Sequence, residues 1–386
     1  MTLNQRVRRR QSYKLPASSR RASEFIFWVL AALLLGALGW VWHQTQSPRP
    51  VPRSPAQLGK KNPAARSQPA SAPVGSATGP AGPASSSPSN RSASALGSEA
   101  LSRPPLDTLE AQLALARLGI SCGSLDGVLG PQTRAALRAF QAREHLPPTG
   151  ALDAVTQSRM RPPAPPFVRY GVASNDLARL QPVAPTWLGK SQQSALDYES
   201  LLEAVAEMSQ ANPKLIRQLN PGVNWSNVLV GTELRLPNAA YPEPTEPAAF
   251  VRISLSAKTL QVFGDSSNLL AHFPCSIAQR VEKRPVGELH VIAIAPDPNY
   301  TFDPEVFPES PEARAIGHKL ILPPGPNNPV GVAWISLDRP GYGIHGTPNP
   351  EQVGRTESHG CFRLANWNAA YLLKLVNIGT PVYVVP

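Results

Sequence analysis

Cysteine is nearly absent. Cys122, Cys275 and Cys361 are the only three in 386 residues. So few, so widely spaced, exclude a disulfide framework, and with no C-x-x-C pair there is no structural-zinc signature. Charge is scarce too, at 16% of the chain. Acidic residues almost vanish from the first 105 positions, where only Glu24 and Glu99 face 14 Lys and Arg. The formal charge of +11 therefore belongs to that stretch, because the remainder balances 23 Lys and Arg against 24 Asp and Glu. A nucleic-acid binder is expected to carry its positive patch on a folded face, so nucleic acid is not an expected partner. What abounds is proline, 44 residues in all, more than a single globular core would hold. The length leaves room for two or three domains. An odd, unpaired cysteine count is what a catalytic thiol would leave.

Residues 25–42, FIFWVLAALLLGALGWVW, run without a charge. That approaches the ~20 residues a helix needs to cross the hydrocarbon core, with Trp28, Trp40 and Trp42 near its ends as interfacial rings prefer. Seven Lys and Arg between Arg6 and Arg21 precede it, a flank expected to stay cytoplasmic. We expect a basic cytoplasmic tail (1–24) and a single transmembrane signal-anchor (25–42); a cleaved signal peptide is the alternative. Either way, the rest of the chain is expected outside the cytoplasm, in the periplasm or cell-wall zone. Residues 43–104 are Pro, Ser, Ala and Gly with few large apolar side chains, so they predict a flexible tether of about 40–50 Å mean span.

Three folded segments follow. In 105–161, Leu106, Leu109, Leu113 and Ala116 recur at helical spacing and Gly119 stops the helix. Pro131 opens a second helix with Ala136, Leu137 and Phe140 on one face, and ALDAVTQSRM makes a third. Residues 162–190 read as a linker. In 191–238, two helical patterns (Leu201, Leu202, Val205, Met208; then Leu215, Ile216, Leu219) lead to a closing strand, ELRLP, with Asp197 as the expected cap of the first helix. The third segment, 249–386, is mostly strand: FVRISLSAKTLQVFG, ELHVIAIA, VGVAWISL, YGIHG and TPVYVVP, with one helix from Trp367 to Val376. A sandwich or barrel-like β core is expected.

The stretch GIHGTPNPEQVGRTESHGCFRLANWNAA, 343–370, sets two imidazoles and a thiol close together, with glycine next to each. A thiol is a weak nucleophile until ionised, and a neighbouring imidazole or positive field lowers its pKa from ~8.5. Gly360 lets backbone N–H groups approach a reacting carbonyl, and Arg363 offers a planar cation for a carboxylate. The combination suggests Cys–His acyl transfer. Two alternatives stand beside it: His345, His359 and Cys361 as zinc ligands, or a buried, inert thiol, which is the expectation for Cys122 and Cys275.

Known families match these parts. LDGVLGPQTRAALRAFQ and LPPTGALDAVT resemble the three-helix peptidoglycan-binding domain. LIRQLNPGVNW and LVGTELRLP resemble the second half of a LysM module, a βααβ fold that binds N-acetylglucosamine chains. The segment lacks that module's glycine-containing first strand, so a purely structural arm is the alternative. RPVGELHVI, LPPGPNNPVG, YGIHGT, SHGCFRL and GTPVYVV together resemble the YkuD-type L,D-transpeptidase catalytic domain. That resemblance implies Cys361 as nucleophile, His345 as general acid/base, Ser358, His359, Gly360 and Gly346 as the supporting oxyanion loop, and Arg363 as the contact to a substrate carboxylate. No metal or organic cofactor is implied. Asn368 stands where the family often has Asp. The implied reaction breaks the L,D bond between the third and fourth residues of a peptidoglycan donor stem. The acyl group then passes to an amine, giving a 3→3 cross-link, or to water, a free D-amino acid or a protein. A catalytically silent, wall-binding anchor is the reading from another class.

Overall fold

The computed structural model describes Leu101 and residues 103–307, 309–355 and 360–386. The basic tail, the apolar run 25–42 and all of the tether 43–104 except Leu101, Arg103 and Pro104 lie outside the described residues. Among the described residues no helix is long and apolar enough to cross a membrane.

Helix α1 (Thr108–Ala116) starts where the Asp107 side chain accepts from the Glu110 N–H at 2.8 Å, the usual way a first-turn donor is satisfied. Leu106 falls before this cap and is 75% exposed, so it is no part of the apolar face expected of it. Helix α2 (Pro131–Arg143) opens on proline, and α3 spans Ala154–Arg159. Ala136, Leu137 and Phe140 are buried together with Leu115 and Ile120. Two buried glutamines brace the connections. Gln112 accepts from the Gly127 N–H at 2.9 Å and donates to Thr133, while Gln141 accepts from the Gly150 N–H at 2.8 Å.

The stretch 162–190, expected to be linker, is structured. Strand β1 (Phe167–Gly171) pairs antiparallel with β2 (Glu233–Pro237), Phe167 opposite Pro237. Two short helices, α4 (Ser174–Ala178) and α5 (Trp187–Ser191), follow β1, then α6 (Leu201–Met208) and α7 (Pro213–Leu219). The first strand absent from 191–238 is therefore supplied from upstream, and a βααβ unit is completed around an inserted segment. Ser200, not Asp197, caps α6; its hydroxyl accepts from the Glu203 N–H. Asp197 holds Arg179 instead, at 2.8 Å. Met208, expected on the apolar face, is 53% exposed.

Eight strands form one continuous sheet in the order β11-β10-β9-β6-β12-β3-β4-β5. Their spans are β3 (Phe250–Ser254), β4 (Thr259–Phe263), β5 (Leu269–Pro274), β6 (Gly287–Pro296), β9 (Ala333–Leu337), β10 (Gly343–His345), β11 (Phe362–Arg363) and β12 (Pro381–Val385). The sheet curls until its ends meet: Ser276, just past β5, exchanges two backbone hydrogen bonds with Arg363 of β11, at 2.9 and 3.0 Å. The core is thus barrel-like rather than two stacked sheets. Inward residues alternate along β9, where Ala333, Ile335 and Leu337 are buried and Trp334 and Ser336 less so. Helix α9 (Asn366–Leu375) packs against this core through Ala369, Leu372 and Leu375. Between β6 and β9, a hairpin of β7 (Tyr300–Phe302) and β8 (Leu320–Leu322), with α8 (Pro311–Ile316) in its connection, forms a flap with its own small core.

These parts are not separate beads. Leu113, Ala116 and Leu125 of the helical module share a core with Leu201, Val205 and Ile216 of the βααβ unit. The Ser121 N–H donates to the His272 carbonyl of β5 at 2.8 Å, and the His272 N–H to the Gly119 carbonyl at 3.0 Å. Gly119 has φ of +74°, and a Cβ there would lie 2.7 Å from the Leu270 carbonyl oxygen. Trp187 of the inserted segment stacks on Phe302 of the flap at 4.4 Å.

Candidate active site

The parallel pairing of β10 with β11 sets His345 opposite Arg363 and Ile344 opposite Phe362. Side chains alternate along a strand. Ile344 and Phe362 enter the core, so His345 and Arg363 share the other face, and Cys361, two residues before Arg363, joins them. Cys361 faces Gly343, whose backbone N–H lowers the thiol pKa by hydrogen bonding. Its Sγ also lies 3.6 Å from the Gly341 carbonyl. Gly343 is required by the ring beside it, because a Cβ there would lie 2.7 Å from Trp334.

His345 is 5% exposed. Its Nδ1 lies 2.6 Å from the Gly346 carbonyl oxygen. A carbonyl only accepts, so Nδ1 carries the proton and Nε2 keeps its lone pair. Trp334, directly across β9 in register, stacks on the imidazole with ring centroids 5.4 Å apart. Burial pulls the imidazole pKa down to about 4; the Gly346 hydrogen bond opposes this, and the Arg363 charge adds to it.

The thiol runs against expectation. Burial pushes Cys361 above its ordinary value, more than the Gly343 N–H and the Arg363 charge bring it down. Burial thus works against the charged form of each group, raising the thiol and lowering the imidazole. Cys122 and Cys275 are buried and pushed up further still, as inert thiols should be.

Arg363 belongs to none of the ion pairs found among the described residues. It lines a polar cleft of about 90 Å³ with Ser276, Thr347, Asn349, Gln352 and Val353. Tyr300 of the flap lies within electrostatic reach of both Cys361 and Arg363, which puts the flap beside the thiol. Gly360 directly precedes the nucleophile candidate. Ser358 and His359 lie outside the described residues, so the zinc alternative has one of its three members there. Among the described residues no other group of three His, Cys, Asp or Glu is placed to hold a metal.

Gly346 has a part that sequence reading did not find. Its carbonyl is the acceptor for His345, and a Cβ on it would collide with the Asn366 side-chain oxygen. Asn366 is fully buried and its Oδ1 accepts from the Thr347 N–H at 2.9 Å. Asn368, in place of the more usual Asp, accepts from the Tyr241 hydroxyl at 2.6 Å. Trp334, Tyr300 and Asn366 are the site residues that sequence reading missed. Only Trp334 left a signal, as the outward-facing aromatic in the alternation of VGVAWISL.

Two segments of the chain match known families. Residues 248–384 match the YkuD family of L,D-transpeptidase catalytic domains, and residues 106–160 match a peptidoglycan binding domain. The chain therefore carries an L,D-transpeptidase catalytic domain behind a peptidoglycan-binding domain. Its relatives include the YkuD protein of Bacillus licheniformis, 27% identical over 48% of this chain and 93% of that one. YbiS of Escherichia coli K12 is 29% identical over 47% of this chain and 58% of its own length. Both carry the name L,D-transpeptidase. Among solved structures, an L,D-transpeptidase from Mycobacterium smegmatis is 21% identical, covering 41% of this chain and 65% of that one, with a TM-score of 0.29.

Proposed function

We propose that the protein is a cysteine-dependent acyltransferase that remodels peptidoglycan, with Cys361 as nucleophile and His345 as the proton carrier. The observation that carries this reading is the β10–β11 register, in which His345 stands opposite Arg363, with Cys361 two residues earlier on the same face. His345 Nε2 takes the thiol proton as Sγ adds to the carbonyl of the L,D bond in a donor stem. The tetrahedral oxyanion collapses, Nε2 returns the proton to the departing D-amino acid nitrogen, and a thioester remains. An acceptor amine then attacks the thioester carbonyl, the thiol leaves and is reprotonated, and a 3→3 cross-link forms when that amine is a diamino-acid side chain. Arg363 and its cleft suit the stem's carboxylate. Burial disfavours the charged form of both groups, so proton transfer accompanies attack rather than preceding it.

The peptidoglycan-binding domain and the βααβ unit would hold the enzyme on its polymer, raising the local substrate concentration. A cleft of about 590 Å³ along Phe167, Arg169, Asn220 and Arg235 is the candidate glycan groove of the LysM-like unit. The N-terminal apolar run and tether would fix this assembly to the cytoplasmic membrane, with the catalytic domain outside. The reading is tested by incubating the full chain and its Cys361→Ala variant with a defined tetrapeptide muropeptide and an acceptor, then reading product masses. Loss of both donor cleavage and cross-linking in the variant is expected; retained turnover overturns it.

A further inference from the structure

Helix α6 belongs to the βααβ unit, yet two of its side chains, Glu203 and Glu207, point into the catalytic domain. Each accepts from an asparagine amide there. Asn327 Nδ2, at the base of the flap, donates to Glu203 at 2.7 Å. Asn366 Nδ2 donates to both oxygens of Glu207 at 3.1 Å and to the Pro326 carbonyl at 3.1 Å. The other end of the Asn366 amide accepts from the N–H groups of Thr347 at 2.9 Å and Val332 at 3.4 Å. Backbone N–H groups only donate and an ionised carboxylate only accepts. The amide is therefore fixed one way round.

The Thr347 N–H and the Gly346 carbonyl belong to one peptide unit, and that carbonyl is the acceptor of His345 Nδ1 at 2.6 Å. An unbroken hydrogen-bonded chain thus runs from Glu207 through Asn366 and the Gly346–Thr347 peptide to the imidazole. We propose that Glu207, a side chain of the βααβ unit, is a positioning residue for His345: its carboxylate locks Asn366, and through it the peptide that fixes the imidazole's tautomer and angle. The inference rests on the Cys361–His345 reading above. A planar peptide cannot turn its carbonyl toward Nδ1 without aiming its N–H the opposite way, so holding that N–H holds the imidazole's acceptor. Hydrogen bonds in such a chain polarise one another, and a carboxylate at the far end makes the Gly346 oxygen a better acceptor for an imidazolium. Gly331 and Gly346 leave room for this, since a Cβ on either would collide with Asn366 Oδ1.

The groups facing Glu207 are Asn366, the Tyr198 hydroxyl, which donates at 3.2 Å, and the charges of Glu203 and Glu351. Burial first, with those two carboxylates adding, pushes its pKa up to about 7 against the hydrogen bonds from Asn366 and Tyr198. The carboxylate charge at the end of the chain therefore changes in the range where the enzyme would work.

Full-length Glu207→Leu and Glu207→Gln are assayed on a soluble tetrapeptide donor beside Cys361→Ala and His345→Ala. Glu207→Leu is expected to lose about 10- to 100-fold in kcat, the range for removal of an outer partner that fixes a metal-bound imidazole, with KM unchanged. Glu207→Gln keeps an acceptor for Asn366 and is expected to recover most of kcat, while lacking the inflexion near pH 7 expected of the wild type. A folded Glu207→Leu within about twofold of wild-type kcat, or altered in KM alone, overturns the proposal. If the Leu variant does not fold, a Gln pH profile superposing on the wild type overturns it. Activity surviving in Cys361→Ala or His345→Ala would instead sink the Cys–His reading, whatever Glu207 does.

Discussion

His345 and Arg363 lie directly opposite one another across a parallel pair of strands, and the thiol two residues before Arg363 shares their face. Three residues spread over 18 positions of sequence thus share one face because two short strands run side by side. Each strand is held on both flanks: β10 by β9, and β11 by β10 and by the Ser276 bridge. Rigid elements hold catalytic geometry better than loops do.

Trp334→Leu removes the ring stacked on His345 while keeping the strand. A stacked pair contributes about 0.5–1.5 kcal/mol beyond its burial, so a loss of about two- to tenfold in kcat is expected, with donor KM unchanged. Steady-state kinetics on a soluble muropeptide checks this; a KM effect without a kcat effect would place Trp334 against substrate instead.

Thiol labelling separates the three cysteines. Cys122 and Cys275 are 4% and 0% exposed, and burial pushes both thiols up. Iodoacetamide on the native protein should modify Cys361 alone, and denaturation should release the other two. Because burial raises the Cys361 thiol too, its alkylation rate should still be climbing above pH 8. Levelling off below pH 7 would mean a preformed thiolate.

Stability should depend on pH with opposing terms. Burial lowers His272 and His345 to about 4, with the Arg138 charge adding at His272, so the unfolded chain binds these protons at higher pH than the folded one. Their contribution is whole above about 6.5 and is lost as pH falls through 4. Glu207 runs the other way: with its pKa raised, its contribution is whole below about 4.5 and is lost as pH rises through 7. Urea unfolding across this range should show a shallower acid limb in His272→Leu and a flatter neutral limb in Glu207→Gln. Unchanged limbs would contradict the burial argument.

Trp187→Ala should loosen the flap. The indole stacks on Phe302 at 4.4 Å and on Phe307 at 5.9 Å, and its N–H backbone group donates to Glu312. Hydrogen exchange in 300–322 should quicken and donor KM should rise, with the rest of the chain exchanging as before. Exchange quickening everywhere would make Trp187 a general stability residue.

Much of this was legible in the chain. β-Branched and aromatic runs between Pro- and Gly-rich connections placed β3, β4, β6, β9, β10 and β12, and GIHG and SHGC marked the chemistry. Two things were not legible. Phe167 pairs with Pro237 across 70 residues that contain two extra helices, and no local signal in FVRYG announces so distant a partner. Glu207 reaches Asn366 over 159 positions; on its own helix it reads as one more solvated carboxylate. The direction of the Cys361 pKa was also hidden, because it depends on how deeply the fold buries the sulfur. Because the modules pack together, removing 105–240 strips the partners of His272 and Asn366, so activity on soluble muropeptides should fall along with activity on intact sacculi.

The most direct measurement is the mass of the intact enzyme during turnover. Full-length protein mixed with a tetrapeptide muropeptide and no acceptor should gain the mass of the donor minus its terminal amino acid, and peptide mapping should place that mass on Cys361. Adding an acceptor amine should discharge the adduct into cross-linked product. Cross-linked product formed at wild-type rate by Cys361→Ala, or an adduct mapped to another residue, would contradict the account.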